Sequence, residues 1–261
     1  MLEHLRELFR YRELLRSLTW REIRVKYKQS IMGVLWAVFM PMIVVSAGIL
    51  VKYAAAKLSG TPFDAAAIAS ISIRAVPWAF FVSSLRFATG SLISNTNLVT
   101  RIYFPKEIFP LAAVLSQLLD FAVASGVLLV LLTVVRVGVS VHLLWVPVLM
   151  LLMVILVAGL GIFLSASALF FRDVKYLVEV VLTFAIFFTP VFYDVSLFGK
   201  WSRVLLLNPV APLLEGIDAV IVKHQEPQLA WVLYSTVFAL VVLTAGYSFF
   251  KRSEPAFAEN I

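Results

Sequence analysis

Long apolar runs, separated by short charged or proline-containing segments, make up most of this chain. A helix needs roughly 20 apolar residues to cross the hydrocarbon core of a bilayer. Six runs approach or exceed that length, and we predict a membrane-spanning helix in each of them. These runs cover residues 31–51, 75–93, 110–135, 143–171, 176–192 and 229–250.

The second run begins near Ala65, but two arginines, Arg74 and Arg86, interrupt it. A charged side chain inside a membrane is costly unless it has a partner. We therefore place the apolar core of this span at residues 75–93.

The N-terminal 30 residues are charged and show the spacing of an amphipathic helix, with Arg and Glu side chains on the polar faces. The apolar positions recur at helical spacing: Leu5, Leu8, Phe9, Leu15 and Leu18. We predict a cytoplasmic helix that lies in the membrane interface. An ordinary solvated helix is the alternative.

Residues 194–228 separate the last two predicted spans. This segment is apolar enough to enter a bilayer, but Asn208, Pro209 and Pro212 interrupt it. Non-helical backbone is tolerated at membrane depth only where protein or a water-filled cavity satisfies its polar groups. We predict two short re-entrant helices that meet near Asn208 and Pro209, in place of a seventh span.

The composition excludes a water-soluble globule. Of the 261 residues, 62% are hydrophobic and 14% are charged, whereas soluble domains have about 45–50% apolar and about 25% charged residues. We predict a single all-α transmembrane domain over residues 1–261. It comprises an N-terminal segment (1–30), a six-span bundle (31–250) and a short tail (251–261).

The net charge of +7 indicates membrane topology and not nucleic-acid binding, because the basic residues lie beside the apolar runs. With six spans, fourteen Lys and Arg residues fall on the side of the two termini and six on the other side. Cytoplasmic segments of membrane proteins are enriched in Lys and Arg. Both termini are therefore predicted to lie in the cytoplasm.

The sequence lacks the residue patterns of common catalytic and metal sites. It has no cysteine and no phosphate-binding loop ending in Gly-Lys-Ser or Gly-Lys-Thr. Its three histidines, His4, His142 and His224, are far apart, and no loop combines histidine with paired carboxylates. We predict that the chain is not an enzyme and holds no metal or cofactor. If ATP drives transport, a partner chain hydrolyses it.

Two acidic residues, Asp120 and Glu179, fall inside apolar runs. An unpaired charge there costs at least about 2.5–3.5 kcal/mol. One interpretation is that these carboxylates pair with Arg74 or Arg86 and orient the bundle. The other is a proton or ion relay, which would make the chain an ion-coupled secondary transporter or channel.

Several short motifs follow one another from the N-terminal region to the C-terminus. They are Arg21-Glu22-Ile23, Pro77-Trp78-Ala79-Phe80-Phe81, Ser91-Leu92-Ile93-Ser94-Asn95, Phe104-Pro105, Phe171-Arg172-Asp173-Val174, Thr189-Pro190-Val191-Phe192-Tyr193, Asn208-Pro209 and Phe257-Ala258-Glu259. This succession resembles the polysaccharide-exporting ABC transporter permeases, the family that serves O-antigen, capsule and teichoic acid export. The resemblance covers nearly the whole chain from about Leu14.

The resemblance implies a homodimer of six-span subunits in the lipid of the bacterial inner membrane. Each subunit would dock on a separate ABC ATPase subunit, and that subunit would bind ATP and Mg²⁺. The dimer would enclose a central channel for a polysaccharide that is carried on a lipid.

Aromatic rings offer flat apolar surfaces with some polar edges, over which sugar rings can slide without tight hydrogen bonding. On this basis we predict that the channel is lined by Trp36, Phe39, Trp78, Phe80, Phe81 and Tyr193. The alternative is that these rings anchor helices at the membrane interface, where Trp and Tyr are generally enriched.

The loop at residues 95–109 is predicted to be cytoplasmic, short and bounded by prolines. We expect Arg101, Tyr103 and Phe104 to be exposed there, next to Pro105. In the family that the sequence resembles, the matching loop forms a coupling helix that contacts the ATPase. These four residues are therefore the predicted coupling site, and a plain basic connection is the alternative.

Overall fold

The computed structural model describes residues 10–28, 32–33, 35–59, 65–101 and 104–259. Every regular element in these ranges is helical, with no strand, so the predicted all-α class is confirmed. The α-helices are α1 (Arg12–Lys28), α2 (Leu35–Ser59), α3 (Ala65–Gly90), α4 (Thr96–Arg101), α5 (Ile108–Val134), α6 (Trp145–Phe170), α7 (Asp173–Ala185), α8 (Ser202–Leu206), α9 (Val210–Ile221) and α10 (Leu229–Ser253).

Five helices in the described ranges are long and apolar enough to cross a membrane, namely α2, α3, α5, α6 and α10. They coincide with the first four predicted spans and the last one. The second span, predicted at residues 75–93, is too short at its N-terminal end. Its helix α3 begins at Ala65 and continues without a break through Arg74 and Arg86. Both arginines have carboxylate partners, which explains why the helix tolerates their charges.

The fifth predicted span is shorter than expected. α7 has 13 residues, and with the 3-10 turn that follows it the helical stretch is roughly 24 Å long, less than the ~30 Å hydrocarbon core. The chain from α7 to Asp194 nevertheless runs beside α3, because Glu179 pairs with Arg86 and Asp194 pairs with Arg74. The count of six crossings stays a prediction.

Both described termini lie at the same end of the bundle. Leu18 of α1 belongs to one buried cluster with Phe250 of α10 and with Phe257 after it. An even number of crossings requires this arrangement. We call this end the terminal end and the other the opposite end; which side of a membrane each one faces stays a prediction.

α6 and α10 pack against each other through glycines. A Cβ atom at Gly159 would lie 2.7 Å from backbone atoms of Leu243, and one at Gly246 would lie 2.6 Å from the carbonyl oxygen of Gly159. Small residues permit this close approach of backbones in pairs of membrane helices. The two glycines therefore set the spacing of α6 and α10.

Two short helices, α8 and α9, meet at Asn208 and Pro209, where the sequence predicted a break. The Asn208 side-chain amide donates to Thr189 Oγ1 at 2.9 Å, and Ser235 Oγ donates to the Pro209 carbonyl oxygen at 2.9 Å. Side chains thus satisfy polar groups at the break, as a re-entrant segment requires. The depth of this segment in a bilayer stays a prediction.

α1 packs along α5, so one side of this helix is covered by the bundle. Whether its other side lies in the membrane interface or in water stays a prediction. Leu18 is buried, and Lys26 Nζ near the end of α1 donates to Gln117 Oε1 of α5 at 3.0 Å. Three of the residues on which the amphipathic prediction rests lie outside the described residues: Leu5, Leu8 and Phe9.

Candidate functional sites at the two ends of the bundle

A buried ion cluster forms around Arg74 at the opposite end. The side chain of Arg74 is 2% exposed, and its Nη2 lies 2.6 Å from Asp218 Oδ2 of α9 and 2.7 Å from Asp194 Oδ1. Its Nη1 lies 3.3 Å from Glu215 Oε1 and donates to the Tyr193 carbonyl oxygen at 2.7 Å. One arginine thus ties α3 to α9 and to the segment that follows α7.

Two lysines complete this group of six charged residues, which we call the Arg74 cluster. Lys223 Nζ lies 3.3 Å from Asp218 Oδ2, and Lys52 Nζ of α2 lies 3.6 Å from Asp194 Oδ2. Burial alone would raise the pKa of Asp194, but Arg74, followed by Lys52 and Lys223, lowers that pKa below its usual value. Its carboxylate therefore stays ionised near neutral pH and balances the cations.

The predicted pairing of Arg74 with Asp120 or Glu179 is wrong. α9 folds back against α3 and brings its own carboxylates, Glu215 and Asp218, to the guanidinium. These two acids are three residues apart, and side chains at that spacing share one face of a helix. Two acids at this spacing within an otherwise apolar segment are the sequence signal for the cluster.

The two acids of the predicted relay both have cationic partners. Glu179 Oε2 lies 2.8 Å from Arg86 Nη2, so its predicted pairing with Arg86 is confirmed. Asp120 instead pairs with Lys26 and Tyr27, because α1 reaches α5. Burial, followed by the hydrogen bond and the charge of Asp120, raises the pKa of Tyr27. Tyr27 therefore keeps its proton and acts as a donor.

Five phenylalanines pack together at the terminal end, and we call them the phenylalanine cluster. The ring centroids of Phe104 and Phe109 are 5.4 Å apart. Those of Phe250 and Phe257 are 5.1 Å apart, and Phe170 lies 5.9 Å from Phe257. The cluster joins the loop before α5 to the ends of α6 and α10.

An ion group beside the phenylalanine cluster holds the same loop. Glu107 is 1% exposed and accepts hydrogen bonds from Lys251 Nζ at 2.8 Å and from the Tyr247 hydroxyl at 3.0 Å. Lys106 lies over the Phe257 ring, 5.6 Å from its centroid. The loop between α4 and α5 is therefore bonded to the C-terminal segment.

The predicted coupling residues differ in their placement. Phe104 and Pro105 are buried, so the predicted exposure of Phe104 is wrong, because its ring packs on Phe109. Arg101 is the last residue of α4, but its side chain and the whole of Tyr103 lie outside the described residues.

The surface next to this loop is formed by α4 and the turn before it. Asn97 and Thr100 are exposed on α4, whereas Val99 is buried. Ile93 and Ser94 are exposed in the preceding turn. In the sequence, the signal for this surface is the three-residue spacing of two polar residues, Asn97 and Thr100, because side chains at that spacing share one face of a helix.

The six predicted channel-lining rings are divided between the surface and the core. Trp36 and Phe39 are exposed on α2 and form an edge-to-face pair with centroids 5.6 Å apart. Tyr193 is half-buried, and its hydroxyl donates to the Phe187 carbonyl oxygen at 3.0 Å. The other three are buried and pack inside the bundle: Trp78, Phe80 and Phe81. Those three offer no surface to a substrate in this conformation.

Five apolar helices of spanning length, together with a helix break held by side chains and ion pairs inside the bundle, define an α-helical multi-pass membrane protein. In the part of the chain that the structure describes, no three His, Asp or Glu side chains are grouped as metal ligands. The chain belongs to the ABC-2 type transporter family, whose sequence profile matches residues 13–222.

Three relatives are similar to this chain over nearly its whole length. The O-antigen export system permease protein RfbA of Myxococcus xanthus is 27% identical over 266 residues, which cover 100% of both chains. Two proteins of the same name from Klebsiella pneumoniae are 27% and 25% identical over 250 residues, covering 95% of this chain and 94% of theirs. The family resemblance that the motifs indicated is confirmed.

Proposed function

We propose that this chain is the transmembrane permease subunit of an ABC exporter that moves a lipid-linked polysaccharide, such as an O-antigen, across the bacterial inner membrane. The observation that carries the proposal is the end-to-end similarity to three permeases named for O-antigen export, in addition to the family match. That similarity includes the terminal end and the α8–α9 segment, so it is not confined to a few spans.

The energy source in this proposal is an ATPase on a separate chain, because this sequence has no phosphate-binding loop. The terminal end offers a suitable contact, since α4 presents exposed polar side chains beside a loop that is firmly held. The phenylalanine cluster and the Glu107–Lys251 ion pair hold that loop. Because the loop is held to the bundle, a displacement of the ATPase would move α5 and α10 and would not be lost in a rearrangement of the loop.

The terminal end faces the cytoplasm in this proposal. Fourteen of the Lys and Arg residues belong to segments predicted on that side, in agreement with the enrichment of basic residues in cytoplasmic loops. An ATPase partner requires the same orientation, because ATP is available in the cytoplasm. The two arguments are independent and agree.

The transport pathway lies between two copies of the chain. Among the described residues, side chains such as Trp78 and Phe80 pack the interior of one bundle, so we place the pathway outside that core. Of the six predicted rings, Trp36 and Phe39 of α2 are exposed. Tyr193 is half-buried and contacts Phe198, which is exposed. A homodimer that brings these surfaces together forms a pathway with an aromatic lining.

Deletion of the gene for this chain in its own host tests the proposal. We expect surface polysaccharide to disappear and its lipid-linked precursor to accumulate inside the cell, with both effects reversed by a wild-type copy. A strain whose partner ATPase is inactivated serves as the matched control and should show the same phenotype. Unchanged surface polysaccharide in the deletion strain would contradict the proposal.

An ion-coupled transporter or channel that uses Asp120 and Glu179 is the second function that the sequence suggested. Such a relay needs carboxylates that exchange protons or ions. In the structure, Glu179 pairs with Arg86, and Asp120 pairs with Lys26 and Tyr27. Transport by the purified chain alone, in liposomes with an ion gradient and no ATP, is the result that would favour this function.

A further inference from the structure

A polar pocket of about 450 Å³ opens at the opposite end of the bundle. It lies between α8, α9 and the first turn of α10, and it borders the Arg74 cluster through Glu215 and Lys223. Its volume falls within the range of about 300–1,000 Å³ that small-molecule sites occupy. None of the roles proposed above uses this pocket.

The charged side chains that line the pocket balance one another. Arg203 and Lys223 contribute two positive charges, and Glu215 and Glu226 contribute two negative charges. A phosphate group would meet two carboxylates as well as two cations, and an acyl chain would meet four charged side chains and two glutamines. A neutral ligand with many polar groups suits this lining better than either.

Several lining groups have hydrogen-bonding capacity to offer such a ligand. Lys223 Nζ lies 3.3 Å from Asp218 Oδ2 but 3.9 Å from Glu215 Oε2, and an ammonium group has three donors, so Lys223 has donors left for a ligand. Gln225 and Gln228 also line the pocket and are exposed, and each amide provides donors and an acceptor. A ligand rich in hydroxyl groups, which both donate and accept, matches this mixed set.

Trp231 adds an apolar face to the polar lining. Its ring is half-buried and stands edge-to-face against Tyr234, with centroids 5.8 Å apart and planes at 85°. Tyr234 is itself held by the hydrogen bond of its hydroxyl to the Leu207 carbonyl oxygen at 2.7 Å. One side of a pyranose ring carries C–H groups that form a flat apolar surface, which packs well on an aromatic face.

We propose that this pocket binds a neutral sugar unit of the exported glycan, with Trp231 stacking on the ring and the polar side chains bonding to its hydroxyl groups. The inference rests on the proposed function, because a glycan reaches the opposite end only through the transport pathway. Glu215 and Lys223 belong to both the pocket and the Arg74 cluster. An occupant therefore acts on the ion pairs that hold α9 against α3.

Saturation-transfer NMR on the purified permease–ATPase complex in nanodiscs tests the proposal. The probes are glucose, galactose, mannose, rhamnose, N-acetylglucosamine and glucuronic acid, with inorganic phosphate as the charge control. The Trp231→Ala variant is compared with Trp201→Ala, which removes an exposed indole from the same end but outside the pocket. Gln228→Ala is a second pocket variant in case Trp231→Ala fails to fold.

We expect at least one neutral sugar to bind the wild type and Trp201→Ala equally, and to bind Trp231→Ala about tenfold more weakly, which corresponds to about 1.4 kcal/mol. Gln228→Ala should also weaken binding. Absence of binding by every neutral sugar, equal binding to the wild type and both pocket variants, or binding of phosphate alone would overturn the proposal.

Export measured in the same strains separates this inference from the proposed function. If the wild type exports polysaccharide while no neutral sugar binds, the pocket inference fails and the proposed function stands. If the wild type does not export polysaccharide at all, the proposed function fails, and the pocket inference fails with it because it rests on that function.

Discussion

Two arginines on α3 show how burial determines the loss of stability that follows when one partner of an ion pair is removed. Arg74 is buried together with Asp218, which is fully buried, whereas the side chains of Arg86 and Glu179 are 47% and 36% exposed. Removing one partner of a buried pair leaves an uncompensated charge with no water to solvate it. Removing one partner of an exposed pair has a small effect, because water solvates the charge that remains.

The Arg74→Ala substitution is therefore expected to destabilise the folded protein by about 3–5 kcal/mol. Thermal unfolding of the detergent-purified chain and its abundance in membranes are the measurements. The matched control is Arg86→Ala on the same helix, which should cost less than about 1 kcal/mol. Similar losses for the two variants would contradict the assignment of the Arg74 cluster as the main polar contact between α3 and α9.

The aromatic side chains also divide by burial. Under the proposed function, a polymer must slide past the channel wall. Each tenfold in affinity for a sugar ring deepens a binding well by about 1.4 kcal/mol, so broad and shallow contacts suit such a channel. Trp36→Ala and Tyr193→Ala are expected to reduce surface polysaccharide while membrane abundance stays near normal. Phe at either position should be tolerated better than Ala.

Phe80→Ala is the control for these two variants. Its ring packs in the core against Phe121, with centroids 5.6 Å apart, and truncating a buried Phe costs about 3–5 kcal/mol. Abundance should fall for this variant. If abundance falls in parallel with export for Trp36→Ala and Tyr193→Ala, their assignment to the channel is wrong and they stabilise the fold or anchor it in the membrane.

At the scale of elements, α4 carries the proposed contact surface for the ATPase, whereas the loop after α4 carries the residues that hold this region to the bundle. Asn97 and Thr100 of α4 are exposed, whereas Phe104 and Glu107 are buried and hold the loop to the end of α10. This separation predicts different phenotypes for substitutions only a few residues apart.

The Asn97→Glu and Thr100→Glu double variant is expected to weaken association with the ATPase by at least tenfold, because it adds two carboxylates to the proposed contact. Abundance should stay normal. Co-purification of the ATPase and its ATP hydrolysis are the measurements. Lys200→Glu, an exposed charge change at the opposite end, is the control and should have no effect.

Phe104→Ala, by contrast, is expected to lower abundance, because its ring is part of the phenylalanine cluster. Normal ATPase association in the α4 double variant would place the contact elsewhere on the terminal end.

Five of the six predicted spans could be identified from sequence, because each one is a single apolar helix of spanning length. The start of the second was misplaced, because Arg74 and Arg86 interrupt the apolar run but not the helix, which is continuous from Ala65. The fifth span was harder to predict, because α7 ends at Ala185 and the chain continues through a short 3-10 turn.

The partners of Arg74 and Asp120 could not be predicted. They depend on how α9 folds against α3 and how α1 packs on α5. The three-residue spacing of Glu215 and Asp218 marks a charged face of α9, but it does not identify the helix that this face contacts.

The exposure of Phe104 was mispredicted for a related reason. A loop rich in aromatic and basic residues is typical of an exposed contact surface. In the structure, Phe250 and Phe257, which lie more than 140 residues later in the chain, cover this loop. The break at Asn208 and Pro209 was predicted correctly because proline and asparagine interrupt a helix by local chemistry.

The whole molecule has a buried aromatic cluster at the terminal end and a buried ion cluster at the opposite end. The phenylalanine cluster joins three parts of the chain at the first end, and the Arg74 cluster joins α2, α3 and α9 at the second. Between the two ends, α6 and α10 pack closely through Gly159 and Gly246. In our account, ATP hydrolysis at one end is thereby coupled to the release of glycan at the other.

The most direct test of this account is transport in proteoliposomes that contain the purified chain, its ATPase partner and a lipid-linked glycan. Exposure of the glycan on the far leaflet is measured with a lectin that cannot cross the membrane. The account predicts transfer that requires both chains and ATP and that is insensitive to a collapsed ion gradient. Transfer that is driven by an ion gradient without ATP, or that needs only this chain, would contradict it.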